Sequence, residues 1–230
     1  MIDVHFWPTP NGYKVTIFLE EAGVPYNVVP VNIGRGEQFK PEFLKLSPNN
    51  RMPAIVDHAP AGGGEPIAVF ESAAILQYLA EKTGRFIPAD VRGKKTVLEW
   101  LAWQVANVGP ACGQLGHFKH YATEKIPYAI DRYSNEVHRL FGVLDGQLDG
   151  REWTCGEYSI ADMAIFPWFR THERLGIDLA EFGRVKGWLA RMAARPAVVR
   201  GLEVGKDLAK QPVMDDEARK HLFGQRARTA

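Results

Sequence analysis

The sequence is poor in cysteine and contains no long apolar run. Its cysteines are Cys112 and Cys155, which lie far apart and outside any C-x-x-C spacing. This argues against a disulfide scaffold, a thiolate metal site and a dithiol redox pair, and it predicts two buried, unreactive thiols. No apolar stretch reaches the length of a membrane span, and the N-terminus lacks the basic and apolar regions of a signal peptide. We therefore expect a cytoplasmic protein that does not insert into membranes.

An excess of charge and a metal-ligating cluster are also missing. Lys and Arg number 28 against 27 Asp and Glu, so nothing in the charge favours binding to nucleic acid. His117 and His120 lie beside aromatic residues, but no carboxylate at metal-ligand spacing accompanies them. We expect no metal, and we expect these histidines to lie on the surface or along a cleft. The 46% of hydrophobic residues is sufficient for a packed core.

The first part of the chain alternates strand and helix patterns. Apolar runs predict strands at 2–6, 26–33, 54–56 and 67–70, while helical spacing predicts helices after Gly12, over 41–46 and over 72–82. Residues 7–12, with two prolines and a glycine, are predicted to be an irregular loop. A crossover helix between the first two strands makes them parallel. The order predicts an α/β thioredoxin-like domain over residues 1–87.

After Pro88 the strand patterns stop, and the remaining chain has helical periodicity. Apolar stripes predict helices around 97–108, 127–148, 163–169 and 185–192, with a disturbance at Gly109–Pro110. Ser159 and Asp162 have the spacing of a capping box that starts the third of these helices. We therefore predict an all-α domain over residues 88–205, followed by a charged, loosely attached C-terminal tail over 206–230.

Two short segments predict a site for a peptide-like ligand. Pro53 cannot donate within a sheet, so it belongs at a strand start, where a cis Met52–Pro53 bond would leave the Met52 backbone N–H and C=O directed outward. These groups could pair with an extended peptide. Glu71 and Ser72 end the next strand and open a helix, so a hydroxyl and the positive helix end can receive a carboxylate.

The loop after the first strand offers two donors to an anion. Thr9 carries a hydroxyl and Asn11 an amide, and both precede or open the first predicted helix. Each side chain can donate at the positive end of that helix. The alternative is that Thr9 and Asn11 only cap the helix.

Together these segments resemble the bacterial Nu-class glutathione transferases, which are close to the fungal nitrogen-regulator branch of the same superfamily. The resemblance extends over residues 1 to about 200 and does not cover the tail. The matching motifs are Thr9-Pro10-Asn11-Gly12, Gln38-Phe39, the stretch 47–55, Phe70-Glu71-Ser72, the stretch 126–130, Arg132-Tyr133 and the Ser159 box.

The resemblance implies glutathione-dependent disulfide reduction, with glutathione as cosubstrate, without a metal and without a catalytic protein cysteine. A cysteine in place of Thr9 would have indicated a mixed disulfide with the protein. The resemblance also assigns the roles of individual residues. Thr9 and Asn11 would contact the glutathione sulfur, and the backbone at Met52 and Pro53 would pair with the cysteinyl part. Gln38 would bind the glycyl end, and Glu71 and Ser72 would bind the γ-glutamyl end. Arg132, from this or a neighbouring subunit, would add a charge contact.

Three functions stay open at this point. Conjugation of glutathione to electrophiles uses the same thiolate as disulfide reduction and differs in the second pocket. A non-catalytic regulatory or assembly module could have the same fold. Without the resemblance, Gln38 and Arg132 would be interpreted as solvated polar residues.

The helix around Trp100 carries more large apolar groups than one internal face requires, which predicts a homodimer.

Overall fold

The computed structural model describes residues 1–209 and 215–226. Contacts divide the chain into two compact units. Unit 1 combines Met1–Lys82 with the segment that begins at Arg200, and unit 2 is Thr83–Val199. Residues 210–214 and 227–230 of the predicted tail lie outside the described residues. These units are defined by contacts and not by chain order. The predicted domain boundaries at residues 87 and 205 therefore stay a prediction.

Unit 1 is built on a four-stranded mixed sheet in the order β2-β1-β3-β4. β1 and β2 are parallel, whereas β3 is antiparallel to both β1 and β4. This confirms the predicted thioredoxin-like fold. The strands are β1 (Ile2–Phe6), β2 (Tyr26–Pro30), β3 (Ala54–Asp57) and β4 (Ile67–Phe70), and the helices between and after them are α1 (Pro10–Ala22), α2 (Pro41–Leu44) and α3 (Ser72–Thr83).

The start of α1 corrects the prediction that residues 7–12 are irregular throughout. The helix already begins at Pro10, because the first turn of a helix has no partner for an N–H group and therefore tolerates proline. Thr9 caps this end, and its side chain accepts from the Gly12 N–H at 3.3 Å. Gly23 closes the helix at φ 65°, a left-handed conformation that glycine adopts without steric cost.

β2 ends at Pro30, three residues before its predicted end at 33. The Asn32 side chain accepts N–H groups of the following 3₁₀ turn Ile33–Arg35, and a second 3₁₀ turn covers Glu37–Phe39. The Asn32 N–H donates to the Glu37 carboxylate at 2.7 Å. This segment is thus held by local side-chain caps, which compete with strand formation.

Unit 2 is helical, as predicted. Two π-helical turns, Gln104–Val108 and His117–Tyr121, precede and follow the second of its helices, which begins at the predicted Gly109–Pro110 disturbance. Among the described residues of the chain, no helix is both long and apolar enough to cross a membrane. The helices are α4 (Val91–Trp103), α5 (Gly109–Gly116), α6 (Pro127–Gln147), α7 (Ile160–Phe169), α8 (His172–Leu175) and α9 (Gly183–Ala193).

The predicted capping box is present at the start of α7. Ser159 accepts from the Ala161 N–H, and the Asp162 carboxylate accepts from the Ser159 N–H at 3.1 Å. Asp162 is fully buried, and it also receives hydrogen bonds from Thr154 and from the Trp188 indole. The box therefore ties the start of α7 to a neighbouring loop and to α9.

Three helices follow α9, whereas the last helix predicted from the sequence lies around 185–192. They are α10 (Pro196–Glu203), α11 (Lys206–Ala209) and α12 (Asp216–Phe223). Pro196 opens α10 as its first residue, so here proline starts a helix. Within unit 1, the Gly201 carbonyl accepts from the Thr16 hydroxyl at 2.8 Å, and a Cβ on Gly201 would lie 2.8 Å from the Ile17 backbone. The part of α10 that belongs to unit 1 therefore packs closely on α1.

Candidate functional site

Four chain segments meet at one edge of the sheet in unit 1, which we call the site edge. The register pairs Ala54 with both His5 and Phe70, and it pairs Phe6 with Pro30. The segments that follow β1, β2 and β4 and the segment that precedes β3 therefore leave the sheet at the same edge. These segments carry Thr9, Asn11, Gln38, Met52, Pro53, Glu71 and Ser72.

Thr9 lies beside a sulfur atom. Its hydroxyl donates to Met52 Sδ at 3.4 Å while its oxygen accepts from the Gly12 N–H. A Cβ on Gly12 would lie 2.4 Å from the Trp7 carbonyl oxygen and 3.0 Å from Met52 Cε, so glycine is required for this close approach. Thr9 and Asn11 are half-buried at the positive end of α1.

The Met52–Pro53 peptide bond is cis, as expected from the sequence. Pro53 is buried directly before β3, and the Met52 side chain belongs to an apolar cluster with Val31 and Phe43. Within the part of the chain that the structure describes, the Met52 backbone N–H and C=O make no hydrogen bond. Both groups therefore retain their capacity to pair with a ligand.

Glu71 and Ser72 form the start of α3. Glu71 is exposed and has φ 67°, a left-handed conformation that is uncommon for residues other than glycine and that clusters at functional sites. Its carboxylate accepts from the Asn49 amide at 3.2 Å. Ser72 is buried at 7% exposure. The sharp change of direction at Glu71 sets both side chains at the end of β4.

Lys14 is a polar residue of this region that the sequence did not predict. It is 1% exposed, and its Nζ donates to Ser72 Oγ at 3.1 Å. Burial lowers the pKa of Lys14 to about 7, although the charge of Glu71 acts in the opposite direction. A signal exists in the sequence, because Lys14 lies three and four residues before the fully buried Ile17 and Phe18 and so shares their helix face.

Gln38 is buried at 2% exposure in the second 3₁₀ turn. Its Nε2 donates to the Ile33 carbonyl at 3.2 Å, whereas its Oε1 is buried and has no hydrogen-bond partner among the described residues. A buried acceptor without a partner is costly and rare. Gln38 therefore offers an acceptor, which suits an N–H group of a ligand and not a carboxylate.

Helix α12 lies against the segment that carries Gln38. A Cβ on Gly36 would lie 2.9 Å from the His221 ring, and that ring also packs against Phe39 at a centroid distance of 6.1 Å. The Asn50 amide donates to Gln225 Oε1 at 3.0 Å. The sequence predicted a loosely attached tail and gave no indication of these contacts.

The remaining polar candidates lie in unit 2. Arg132 is on α6, its side chain is 60% exposed, and its guanidinium lies 4.0 Å from the Glu136 carboxylate. His120 is exposed and its Nε2 lies 2.8 Å from the Arg174 carbonyl oxygen, while the half-buried His117 packs edge-on against Phe118. Over the described ranges, no group of three or more His, Cys, Asp or Glu side chains could hold a metal.

The cysteines are both unsuited to nucleophilic chemistry at neutral pH. Cys112 is buried, and burial raises the pKa of its thiol to about 12. Cys155 is half-buried, which corrects the prediction that both are buried. Burial, with the charge of Asp162, raises the pKa of Cys155 to about 12 as well. Since the thiolate is the nucleophile, neither side chain is activated.

Comparison with known families gives matches over both units. Residues 1–81 match the family described as Glutathione S-transferase, N-terminal domain. Residues 128–196 match the family described as Glutathione S-transferase, C-terminal domain. The first match contains the site edge, and the second contains Arg132 and the Ser159 capping box.

Individual proteins are also similar over most of their length. The disulfide-bond oxidoreductase YfcG of Escherichia coli (strain K12) is 53% identical over 203 residues, which cover 88% of this chain and 94% of YfcG. A glutathione transferase from Burkholderia graminis, solved with two glutathione molecules bound per subunit, is 44% identical, with a TM-score of 0.84 and coverage of 89% of this chain and 88% of the other. One from Pseudomonas putida, solved with one glutathione disulfide per subunit, is 44% identical, with a TM-score of 0.84 and coverage of 88% and 91%.

Proposed function

This chain belongs to the glutathione S-transferase family, and we propose that it is a glutathione-dependent disulfide-bond reductase. Bound glutathione, and not a protein cysteine, is the nucleophile. Support comes from the similarity to a disulfide-bond oxidoreductase and from solved relatives with glutathione or its disulfide. The raised pKa values of Cys112 and Cys155 agree with this assignment.

The contact between Thr9 and Met52 is the observation that carries the proposal. The Thr9 hydroxyl already donates to a sulfur atom, Met52 Sδ, at 3.4 Å. A thioether is a weak acceptor, whereas a thiolate is an anion and makes a stronger, charge-assisted hydrogen bond. The glutathione sulfur therefore replaces the thioether as the acceptor of the Thr9 hydroxyl, and Asn11 adds a second donor at the positive end of α1.

The energy required from these donors is moderate. With a thiol pKa near roughly 8.5, only about 3% of glutathione is ionised at pH 7. Lowering that pKa by about two units takes roughly 2.7 kcal/mol of preferential stabilisation of the thiolate. One or two hydrogen bonds together with a helix N-terminus supply an energy of this size.

The rest of the tripeptide follows from the groups at the site edge. The Met52 backbone pairs with the cysteinyl residue, and Pro53 sets the direction of that backbone. Glu71 and Ser72 receive the γ-glutamyl end, where Glu71 faces its amine and Ser72 its carboxylate. We sharpen the assignment of Gln38: its partnerless Oε1 accepts the N–H of the glycyl residue.

The reaction balances as two thiol–disulfide exchanges. In the first, the glutathione thiolate attacks one sulfur of the substrate, a glutathione–substrate bond forms, the substrate disulfide breaks, and the departing thiolate takes up a proton. In the second, another glutathione attacks the mixed disulfide, so that glutathione disulfide and the second substrate thiol are released. Two glutathione molecules supply the two electrons.

One pair of assays tests the proposed activity. Turnover of glutathione with 2-hydroxyethyl disulfide measures reduction, and turnover with a chlorinated nitrobenzene measures conjugation. We expect the disulfide to be the better substrate. A preference for the nitrobenzene would make the protein an electrophile-conjugating transferase, and inactivity on both with intact glutathione binding would make it a non-catalytic regulatory or assembly module.

We further propose that the protein is a cytoplasmic homodimer of the Nu class. The first helix of unit 2 supports the dimer, since α4 exposes Val91 at 83% and presents Leu98 and Ala102 on the same side. Arg132 then adds a positive charge to the glutathione site of its own or the neighbouring subunit. Sedimentation equilibrium at micromolar protein measures the mass, and a single monomeric mass would contradict both the dimer and the cross-subunit role.

A further inference from the structure

Lys14 is the buried charged group of the site edge that the proposed reaction does not use. Its side chain is 1% exposed and shares a helix face with Ile17 and Phe18. Burying an ammonium group is costly unless it is paired or loses its proton. An apolar side chain would fill the same space without that cost, so the fold by itself does not require lysine.

The hydrogen bond between Lys14 and Ser72 has a direction. Lys14 Nζ donates to Ser72 Oγ at 3.1 Å, so the serine oxygen is the acceptor of this bond. A serine hydroxyl has one hydrogen of its own. Protonated Lys14 can only donate, so in that state Ser72 keeps its hydrogen for a second partner, and a carboxylate at the start of α3 is the acceptor that the helix end favours.

We propose that Lys14 is a positioning residue: it holds the Ser72 hydroxyl as a donor to the α-carboxylate of the γ-glutamyl group, and it takes up one proton from solution when that carboxylate binds. The inference rests on the function proposed above, in which Ser72 receives this carboxylate. It specifies the ligand class, since the site requires a free α-carboxylate at this end.

The charges around Lys14 favour this coupling. Burial lowers the pKa of Lys14 to about 7, and Glu71 at the start of α3 is the charge that opposes this effect. Elsewhere on α1, Glu20 lies 2.7 Å from Arg200 of α10, and the His5 ring of β1 contacts a phenylalanine of α2. A carboxylate arriving within about 4–6 Å favours the charged form of an amine. The proton goes to Nζ, and the buried charge gains an anionic partner on binding.

A purely structural role gives different expectations. If Lys14 only joins α1 to α3, its loss weakens all ligands equally and changes no proton balance. If it acts as proposed, its loss weakens only ligands that carry the α-carboxylate. S-methylglutathione is a suitable probe because its sulfur cannot ionise. Its analogue with γ-aminobutyryl in place of γ-glutamyl lacks only the α-carboxylate.

The test is calorimetric titration of the full-length protein with S-methylglutathione at pH 8, in two buffers of different ionisation enthalpy. At this pH a group with a pKa of about 7 is roughly nine-tenths neutral, so we expect uptake of almost one proton per site. Lys14→Met should bind about tenfold to a hundredfold more weakly and should take up no proton through this residue. Lys14→Arg should bind without uptake, and Lys186→Met, at an exposed position of α9, should behave like the wild type.

The outcomes separate this inference from the function on which it rests. If the wild type binds neither S-methylglutathione nor glutathione, the proposed function fails. If it binds both but takes up as many protons as Lys14→Met, or takes up the same number with the analogue, the role of Lys14 is overturned. Should Lys14→Met fail to fold in a thermal melt, the wild-type comparison of the two ligands and the Lys14→Arg variant decide the question.

Discussion

Two serines that open helices, Ser159 in unit 2 and Ser72 in unit 1, are both buried yet differ in what surrounds them. At α7, the Asp162 carboxylate accepts hydrogen bonds from the Thr154 N–H and hydroxyl, the Ser159 N–H and hydroxyl, and the Trp188 indole, at 2.7–3.3 Å. Every partner there is supplied by the protein. At α3, the Ser72 oxygen accepts a hydrogen bond from Lys14. The hydrogen of the Ser72 hydroxyl is then left for another acceptor.

The two helix starts differ in whether the protein supplies every hydrogen-bond partner, and the sequence does not show this difference. Both places show a serine before an apolar helix, and both give the same signal of a helix start. A network that is complete within the protein stabilises the fold. At the site edge, by contrast, the Met52 backbone groups and Gln38 Oε1 have no hydrogen-bond partner among the described residues. Substitutions should therefore affect stability at one place and ligand binding at the other.

The largest expected effect is on stability. Asp162→Ala removes the acceptor of several buried donors, including the Trp188 indole, and should lower the free energy of unfolding by about 3–5 kcal/mol. Urea denaturation measures this change. Asp149→Ala, which breaks an exposed ion pair with Arg184, is the control and should cost less than about 1 kcal/mol. A loss below 1 kcal/mol in Asp162→Ala would mean that the network contributes little.

A smaller effect is expected on ligand binding. Ser72→Ala should weaken glutathione binding by about 1.5–3 kcal/mol, the range for a hydrogen bond to a charged group, while the fold loses the hydrogen bond from Lys14, worth about 1 kcal/mol. Calorimetric titration measures the dissociation constant. Ser159→Ala should show the reverse, with lower stability and unchanged binding. If Ser72→Ala binds glutathione like the wild type, Ser72 only bonds to Lys14 and does not contact the ligand.

The smallest effect is expected for the cysteines. Replacing Cys112 and Cys155 together by Ala should leave the rate of disulfide reduction nearly unchanged, because the pKa of each thiol is raised to about 12 and neither is a thiolate at neutral pH. The rate is compared after circular dichroism has established that the variant is folded. Loss of activity in a folded double variant would move the chemistry to a protein thiol.

The fold of unit 1 could be predicted where apolar runs are bounded by glycine or proline. β1, β4 and the end of α1 at Gly23 follow from such boundaries. Two of the errors, at the start of α1 and after α9, have one common cause, since proline was interpreted there as a break. Pro10 and Pro196 instead open helices, because the first helical position needs no N–H group. Sequence periodicity does not distinguish these two uses of proline.

The candidate site could be predicted where a motif fixes the backbone, as at Met52–Pro53 and Glu71–Ser72. Lys14 and Gln38 are different, because their importance comes from burial, and lysine and glutamine are ordinarily exposed. The contact of Gln225 with Asn50 joins segments far apart in the chain, so no local pattern indicates it. The sequence signals missed Lys14 and this contact, whereas they assigned Gln38 only through the family resemblance.

Stabilisation of the glutathione thiolate by Thr9 is the central claim, and the pKa of the bound thiol tests it most directly. Thiolate absorbance is recorded against pH for glutathione bound to the wild type, to Thr9→Ala and to Thr9→Ser. We expect Thr9→Ala to raise this pKa and to cost about 1–3 kcal/mol in the reactive state, or roughly tenfold to a hundredfold in turnover at neutral pH, with a smaller loss at high pH, where the thiol ionises unaided. Thr9→Ser keeps the hydroxyl and should resemble the wild type. An unchanged pKa with full activity in Thr9→Ala would contradict the account.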